Sequence, residues 1–307
     1  MRDAILQIND IRRKVIGRFD TLSQFQYVKE EDRKSILLYK PILLELLSKI
    51  RDKIRDGKCK PWKVLNLEEK NKKKMENTKV SVGIFGGSFD PPHIVHLLRI
   101  LSHLANDESR SDFIVVLPSA NPDTQIDPLR PSKNPYELRA KLLKFMIADF
   151  GPLIRLSNVR KNNQFHHAIE NLIIINWEVK ISITQIMGSD NFKRVHKKIP
   201  QAVKDWKKFS KNIIYRLHVF QRAGGMSVDE MNAIGFQLPL IIEPPLSFRN
   251  IGNISSTLVR EDISLKYFYP HPEVLNLFIG SYVYPKKIRQ ATLLEVNSFS
   301  NSKMGKL

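Results

Sequence analysis

An apolar, β-branched run, Val80 to Phe85, stops at the pair Gly86-Gly87, and a few residues later Pro91-Pro92 opens a stretch of helical periodicity from His93 to Leu104. No other part of the chain restricts its folding as strongly. The run has the length and composition of a buried strand and ends at a turn signal. Proline is tolerated where a helix begins, so the segment after it is predicted to be helical. Strand, glycine turn and helix in that order predict the first unit of an α/β sheet.

Further apolar runs repeat the rhythm: Phe113 to Pro118, Ile181 to Met187, Ile213 to Phe220 and Leu238 to Glu243 alternate with helical patterns. This predicts an α/β, doubly wound, mostly parallel sheet covered on both faces, with ligands at the carboxyl ends of its strands. With 307 residues, 42% of them apolar, the chain can bury a full α/β core and an appendage.

The first unit also has chemical content. Unpaired backbone N–H groups of the turn and of the helix start converge, and the helix dipole adds partial positive charge, so an anion is favoured there. His93 and His96 are three apart and share a helix face, each able to donate a hydrogen bond to a phosphoryl oxygen. The chain lacks both a phosphate-loop lysine signature and a dinucleotide glycine fingerprint at this turn, which leaves a histidine-based site. A helix-start histidine is also a common cap, and a Gly-Gly pair is commonly only a turn. The second segment, Asn253 to Arg260, follows a strand-like run and places hydroxyl residues before a helical pattern, where they can cap it or bind an anion.

Together, Gly86-Gly87-Ser88-Phe89-Asp90-Pro91-Pro92-His93-Ile94-Val95-His96 and Ile254-Ser255-Ser256-Thr257-Leu258-Val259-Arg260 resemble the paired signature of the nucleotidylyltransferase superfamily. The similarity is greatest to nicotinate/nicotinamide mononucleotide adenylyltransferases and runs from about Lys79 to Pro285. Met187 to Phe192 resembles the family's glycine-x-aspartate strand end. Pro135 to Arg139 resembles the start of its second helix, Arg222 follows a later strand, and Pro272 to Leu275 resembles the start of its terminal helix.

The resemblance implies a Rossmann-like fold and transfer of an adenylyl group from ATP to a pyridine mononucleotide, with pyrophosphate leaving and Mg²⁺ carried on the triphosphate. It implies catalytic roles for His93, His96 and Arg260, and ATP contacts from Gly86, Gly87, Ser88, Phe89, Ile254, Ser255, Ser256 and Thr257. Gly188 and Asp190 would line the ribose side, although Asp190 also suits a strand-end turn or helix cap. Trp206 would stack on the pyridine ring, or would anchor an amphipathic helix. Asp90 would orient a metal-bound water or a histidine, or would organise the turn. Three departures accompany the match. Val95 stands in place of a glycine, Pro118 to Gln125 replaces a proline-histidine-lysine segment whose lysine Lys133 or Arg130 would supply, and Asn163 to Glu170 lacks the expected hydroxyl and aromatic pattern. Pantetheine-phosphate or cytidylyl acceptors are the alternatives within the superfamily.

The chain divides into a basic helical extension and linker at 1–78, the nucleotidylyltransferase domain at 79–285 and a Ser/Asn/Lys-rich tail at 286–307. The first 79 residues hold 21 Lys and Arg against 12 Asp and Glu, so +9 of the net +19 sits in a quarter of the length. Arg2 to Lys14 has amphipathic character, and Ser35 to Ile50 reads as a helix interrupted near Pro41. This extension could pack on the domain, bind another protein or self-associate. The charge surplus supports a second hypothesis, a degenerate enzyme acting as a binding or scaffold subunit in a complex with nucleic acid, although no nucleic-acid module is recognisable. One cysteine, Cys59, excludes an intramolecular disulfide and a cysteine-built zinc site, and reads as an incidental exposed thiol. The chain has no membrane-length apolar segment and no secretory signal, so an intracellular, soluble protein is expected, with the cytoplasm preferred.

Overall fold

The computed structural model describes residues 2–60, 79–119, 134–157, 180–209, 213–222, 225–234, 238–243, 254–262 and 264–281. Six strands form one sheet: β1 (Lys79–Gly87), β2 (Phe113–Pro118), β3 (Ile154–Leu156), β4 (Lys180–Gly188), β5 (Ile213–Phe220) and β6 (Leu240–Glu243). Their order is β3-β2-β1-β4-β5-β6, and every pairing is parallel. The chain therefore winds outward from β1 in one direction and then restarts beside it with β4. At such a reversal the connections leave to opposite sides and open a crevice at the carboxyl ends of the two strands. Gly87 and Gly188 end those strands.

Alternation along the strands feeds two cores. Val82, Ile84, Ile181, Ile183, Tyr215, Leu217 and Val219 point to one face. There they meet α6 (Ser189–Val195), α7 (Ile199–Phe209) and α8 (Val228–Ala233). Phe85, Ile114, Val116, Ile186 and Phe220 point to the other, against α4 (Ile94–Ala105), α5 (Tyr136–Ile147), α9 (Ser256–Glu261) and α10 (Pro272–Ser281). A doubly wound Rossmann-like architecture results, as the sequence predicts. The edge strand β3 has only three residues and left no sequence signal.

The N-terminal helices α1 (Arg2–Asp20), α2 (Glu30–Leu37) and α3 (Tyr39–Arg55) share the second of these cores. Ala4, Ile8, Ile11, Val15 and Phe19 form the buried stripe of α1 at helical spacing. Of the roles open to the extension, packing on the domain is the one observed. Arg18 makes two hydrogen bonds to Asp149, which also accepts one from Tyr269 at 2.9 Å. Lys53 is buried and donates to the carbonyls of Leu104, Asn106 and Ser109 at 2.9, 2.6 and 2.9 Å. Its ammonium thereby meets the unpaired carbonyls and negative dipole end of α4.

The helix break in this region falls at Leu38, where α2 ends and α3 follows, and not at Pro41. Pro41 lies in the first turn of α3, where its missing N–H costs no intrahelical bond. Cys59 also departs from expectation. It is 2% exposed, and burial pushes its thiol up to about 12, which makes it an inert core residue. Residues 61–78 and 286–307 lie outside the described residues.

Candidate active site

The loop after β1 is held from below. Phe89 adopts φ 47° and turns its ring into the core at 1% exposure, edge-on to the rings of Phe85 at 5.6 Å and His96 at 4.9 Å. Its ring is therefore packing behind His96, which leaves the backbone of the loop as the part of this residue that could meet ATP. Asp90 is also buried and accepts from the backbone N and side-chain Nδ2 of Asn134 at 3.2 and 2.8 Å. Of its two readings, turn organiser is the one its geometry matches. Arg139, on α5, ties three backbone carbonyls together: Ser88 at 2.5 Å, Ser119 at 2.9 Å and Asn134 at 2.8 Å. Gly86, Gly87 and Ser88 remain partly exposed above this base.

The helix start differs by one residue from prediction: His93 is the N-cap, with extended backbone, and α4 begins at Ile94. His96 Nδ1 accepts a hydrogen bond from the His93 backbone N–H at 3.1 Å, which leaves Nε2 as the ring's donor in the neutral tautomer. The two imidazoles lie against each other, tilted by 35°, with centroids 3.8 Å apart. His93 is 2% exposed, and neither of its ring nitrogens has a partner among the described residues. Burial holds both rings well below the usual histidine range, and the cations Arg99 and Arg222 lower them further. Near neutral pH each is an uncharged imidazole with one N–H to donate.

Arg99, one turn further along α4, was not singled out by the sequence reading. The spacing 93, 96, 99 was the available signal, because residues three apart share a helix face. A second set of groups missed by sequence lies below it. His103 on α4 meets His218 on β5, Nδ1 to Nδ1 at 2.5 Å, and its Nε2 lies 2.8 Å from Ser111 Oγ. His218 Nε2 lies 2.9 Å from a Glu243 carboxylate oxygen, and Ser102 donates to the other. This buried polar seam fixes α4 on β5 and β6.

The second motif reaches the first directly. Ser256 Oγ donates to the Pro91 carbonyl at 3.0 Å, joining segments 165 residues apart. Ser255 caps α9 by accepting from Leu258 N at 3.2 Å, and Ile254 is buried in the core that holds Phe89 and Ile94. At the end of β4, Asp190 lies in the first turn of α6 and pairs with Arg222 at 3.4 Å. A Cβ on Gly188 would sit 2.5 Å from Asp190 Oδ1 and 2.6 Å from Arg222 Cδ, so only glycine lets this pair close over the strand end.

Trp206 does not join the site. It is 2% exposed in α7, packed with Ile199, Val203 and Tyr215 on the opposite face of the sheet, where the indole and Tyr215 ring centroids are 5.4 Å apart. The amphipathic anchor, not the pyridine stack, is its place. Lys133, Arg130 and the segment Asn163 to Glu170 lie outside the described residues, as do the side chains of Thr257 and Arg260, whose backbone is helical in α9. Among the described residues no group of three or more metal ligands converges, and no helix is long and apolar enough to cross a membrane.

A cytidylyltransferase-like family model matches residues 84–262, the span from β1 to the end of α9. A Pseudothermotoga lettingae protein named "Probable nicotinate-nucleotide adenylyltransferase" is 41% identical over 88 residues, which cover 29% of this chain and 41% of that protein. The chain thus spans about two fifths of that relative. A Flavobacterium psychrophilum protein of the same name is 27% identical over 190 residues, 61% of this chain and 88% of its own length. The Plasmodium falciparum nicotinic acid mononucleotide adenylyltransferase complexed with NaAD superposes with a TM-score of 0.48 at 17% identity, covering 67% of this chain and 97% of that one.

Proposed function

Because the chain belongs to the cytidylyltransferase-like family, we propose that it is a nucleotidyltransferase that moves the adenylyl group of ATP onto a pyridine mononucleotide, nicotinate or nicotinamide mononucleotide. Both curated relatives are named for the nicotinate nucleotide, which makes it the first acceptor to test. The observation that carries this reading is the hydrogen bond from Ser256 to Pro91, which brings the serine-rich cap of α9 against the loop bearing His93 and His96.

In this reaction a phosphate oxygen of the acceptor attacks the α-phosphorus of ATP, and the bond from that phosphorus to the bridging oxygen of pyrophosphate breaks. No protein nucleophile is required. The chain's task is to align the two anions and to offset charge as it shifts toward the leaving group. Neutral His93 and His96 suit this work, since each offers an N–H at fixed position without needing to lose a proton. The start of α4 and the cap of α9 add backbone N–H groups, and Arg260 supplies a cation for the β and γ oxygens. Gly188 and Asp190 border the ribose side. Mg²⁺ carried on the triphosphate would neutralise part of its charge.

A product assay tests the reading. The full chain is incubated with ATP, Mg²⁺ and each of four acceptors in turn, nicotinate mononucleotide, nicotinamide mononucleotide, pantetheine phosphate and a control nucleotide, and products are identified by mass. A dinucleotide and stoichiometric pyrophosphate with a pyridine mononucleotide are expected. Turnover only with pantetheine phosphate would move the acceptor. No turnover, with salt-sensitive RNA binding in its place, would favour the scaffold alternative.

A further inference from the structure

Arg99 is 5% exposed, and its Nε is enclosed without a hydrogen-bond partner. Among the described residues no carboxylate forms an ion pair with it. The two acidic groups that act on it, Asp190 and Glu243, are engaged elsewhere: Asp190 with Arg222 at 3.4 Å, and Glu243 with His218 at 2.9 Å and with Ser102. Its guanidinium carbon lies 5.6 Å from the centre of the Phe220 ring. A cation over an aromatic face is attracted, but that contact does not replace the hydration a buried guanidinium gives up. Burial and the neighbouring Arg222 draw Arg99 down to about 10, so it still carries its charge near neutral pH.

A buried cation without a counter-ion is a liability unless something else completes it. The groups around Arg99 name the missing partner's charge. His93, the N-cap six residues earlier, is 2% exposed with both ring nitrogens unpartnered, and Arg222 is a second guanidinium close enough to shift both imidazoles. The unpartnered His93 ring nitrogens and the Arg99 Nε therefore belong to one helix, α4, whose Arg99 lies over Phe220 at the carboxyl end of β5, with the Asp190-paired Arg222 two residues beyond. An anion with several acceptor oxygens would satisfy them together.

We infer that the Arg99 guanidinium binds a phosphoryl oxygen of the bound nucleotide substrates, extending the histidine pair of α4 into a three-residue anion-binding stripe at positions 93, 96 and 99. The planar fork of arginine suits a phosphoryl group better than a point charge does. This rests on the proposed reaction only for which phosphate is held, since the anion site itself follows from the unpaired donors. The triphosphate of ATP and the phosphate of the acceptor share the required chemistry.

The test uses inorganic pyrophosphate as the probe, titrated calorimetrically into the full chain and into Arg99→Met and Arg99→Lys, with thermal melts of each protein without anion. Arg99→Met is expected to bind pyrophosphate roughly ten- to a hundred-fold more weakly, the range of a lost charge-assisted hydrogen bond. Arg99→Lys is expected to recover part of the loss. Removing an uncompensated charge should leave the Arg99→Met melting temperature equal to or above that of the parent. Unchanged pyrophosphate affinity in Arg99→Met overturns the inference, and a lowered melting temperature with unchanged affinity assigns Arg99 to holding Phe220. Should Arg99→Met not fold, Arg99→Lys decides alone, because full parental affinity in it contradicts a fork-specific contact. Steady-state arms separate the two sources: a KM rise confined to ATP places Arg99 on the triphosphate, one confined to the mononucleotide places it on the acceptor, and no rise in either counts against it. If the parent protein makes no dinucleotide, the pyrophosphate titration still decides the role of Arg99. If the parent makes dinucleotide and Arg99→Met matches it, the role falls while the adenylyl-transfer reading stands.

Discussion

Replacing His96 with alanine lowers turnover by about a thousand-fold while ATP affinity changes less than about three-fold, the signature of a donor that tightens chiefly as charge shifts at the reacting phosphorus. The expectation follows from the ring's surroundings. Nδ1 is committed to the His93 N–H, so the one remaining proton sits on Nε2, and Phe89 and Phe85 back the ring at 4.9 and 6.1 Å. A donor fixed in this way requires little reorganisation during the reaction. The same bond caps α4, so the alanine variant also loses about 1 kcal/mol of stability. His96→Asn separates the two effects, because its side chain can still accept at the helix start; it should restore stability but not turnover. Equal losses in kcat and ATP affinity for His96→Ala would contradict a role specific to the transition state.

Acidification from pH 7 to pH 5 is expected to lower folding stability. His93, His96 and His103 are all held well below the usual histidine range, chiefly by burial. In the unfolded chain each titrates near 6.5. Above that value neither state binds the proton and stability is fully present. Below it the unfolded chain takes up protons that the native protein refuses, so stability falls as pH falls. Linkage sets a ceiling of about 2 kcal/mol per histidine by pH 5, reached where the native ring stays unprotonated, against a total stability of about 5–15 kcal/mol for an ordinary domain. His271, also lowered by burial, acts in the same direction. Denaturant midpoints should be flat above pH 7 and fall below 6.5, with net proton uptake on unfolding at pH 5. A flat profile to pH 5 would show that these imidazoles are solvated.

The sheet was legible wherever a strand of four or more residues lies in an apolar run. β1, β2, β4, β5 and β6 each appear as apolar, β-branched runs, and the observed strand ends fall within one or two residues of the predicted ones. β3 was silent because a three-residue edge strand has no room for a periodic signal. Trp206 was legible as core from its spacing with Ile199 and Val203, and the family pattern pulled it toward the ligand. Cys59 sits between two lysines and reads as exposed, yet tertiary packing against Asp112 buries it; its Sγ lies 3.5 Å from the Asp112 carbonyl. The His103–His218–Glu243 seam joins α4 to residues 115 or more positions away, so nothing local announces it. The same limit hid Arg99, whose meaning depends on carboxylates that neighbours from other strands have already engaged. The paired motifs were the opposite case. Each is ambiguous alone, and their juxtaposition through Ser256 and Pro91 is what makes one site of them.

The most direct test of that juxtaposition is a crystal structure of the full chain with a non-hydrolysable ATP analogue. The triphosphate should lie between the imidazoles of His93 and His96 on one side and the Ser255-Ser256 start of α9 on the other, above Gly86 and Gly87. An analogue bound elsewhere, with the histidine pair still facing protein alone, would contradict the account.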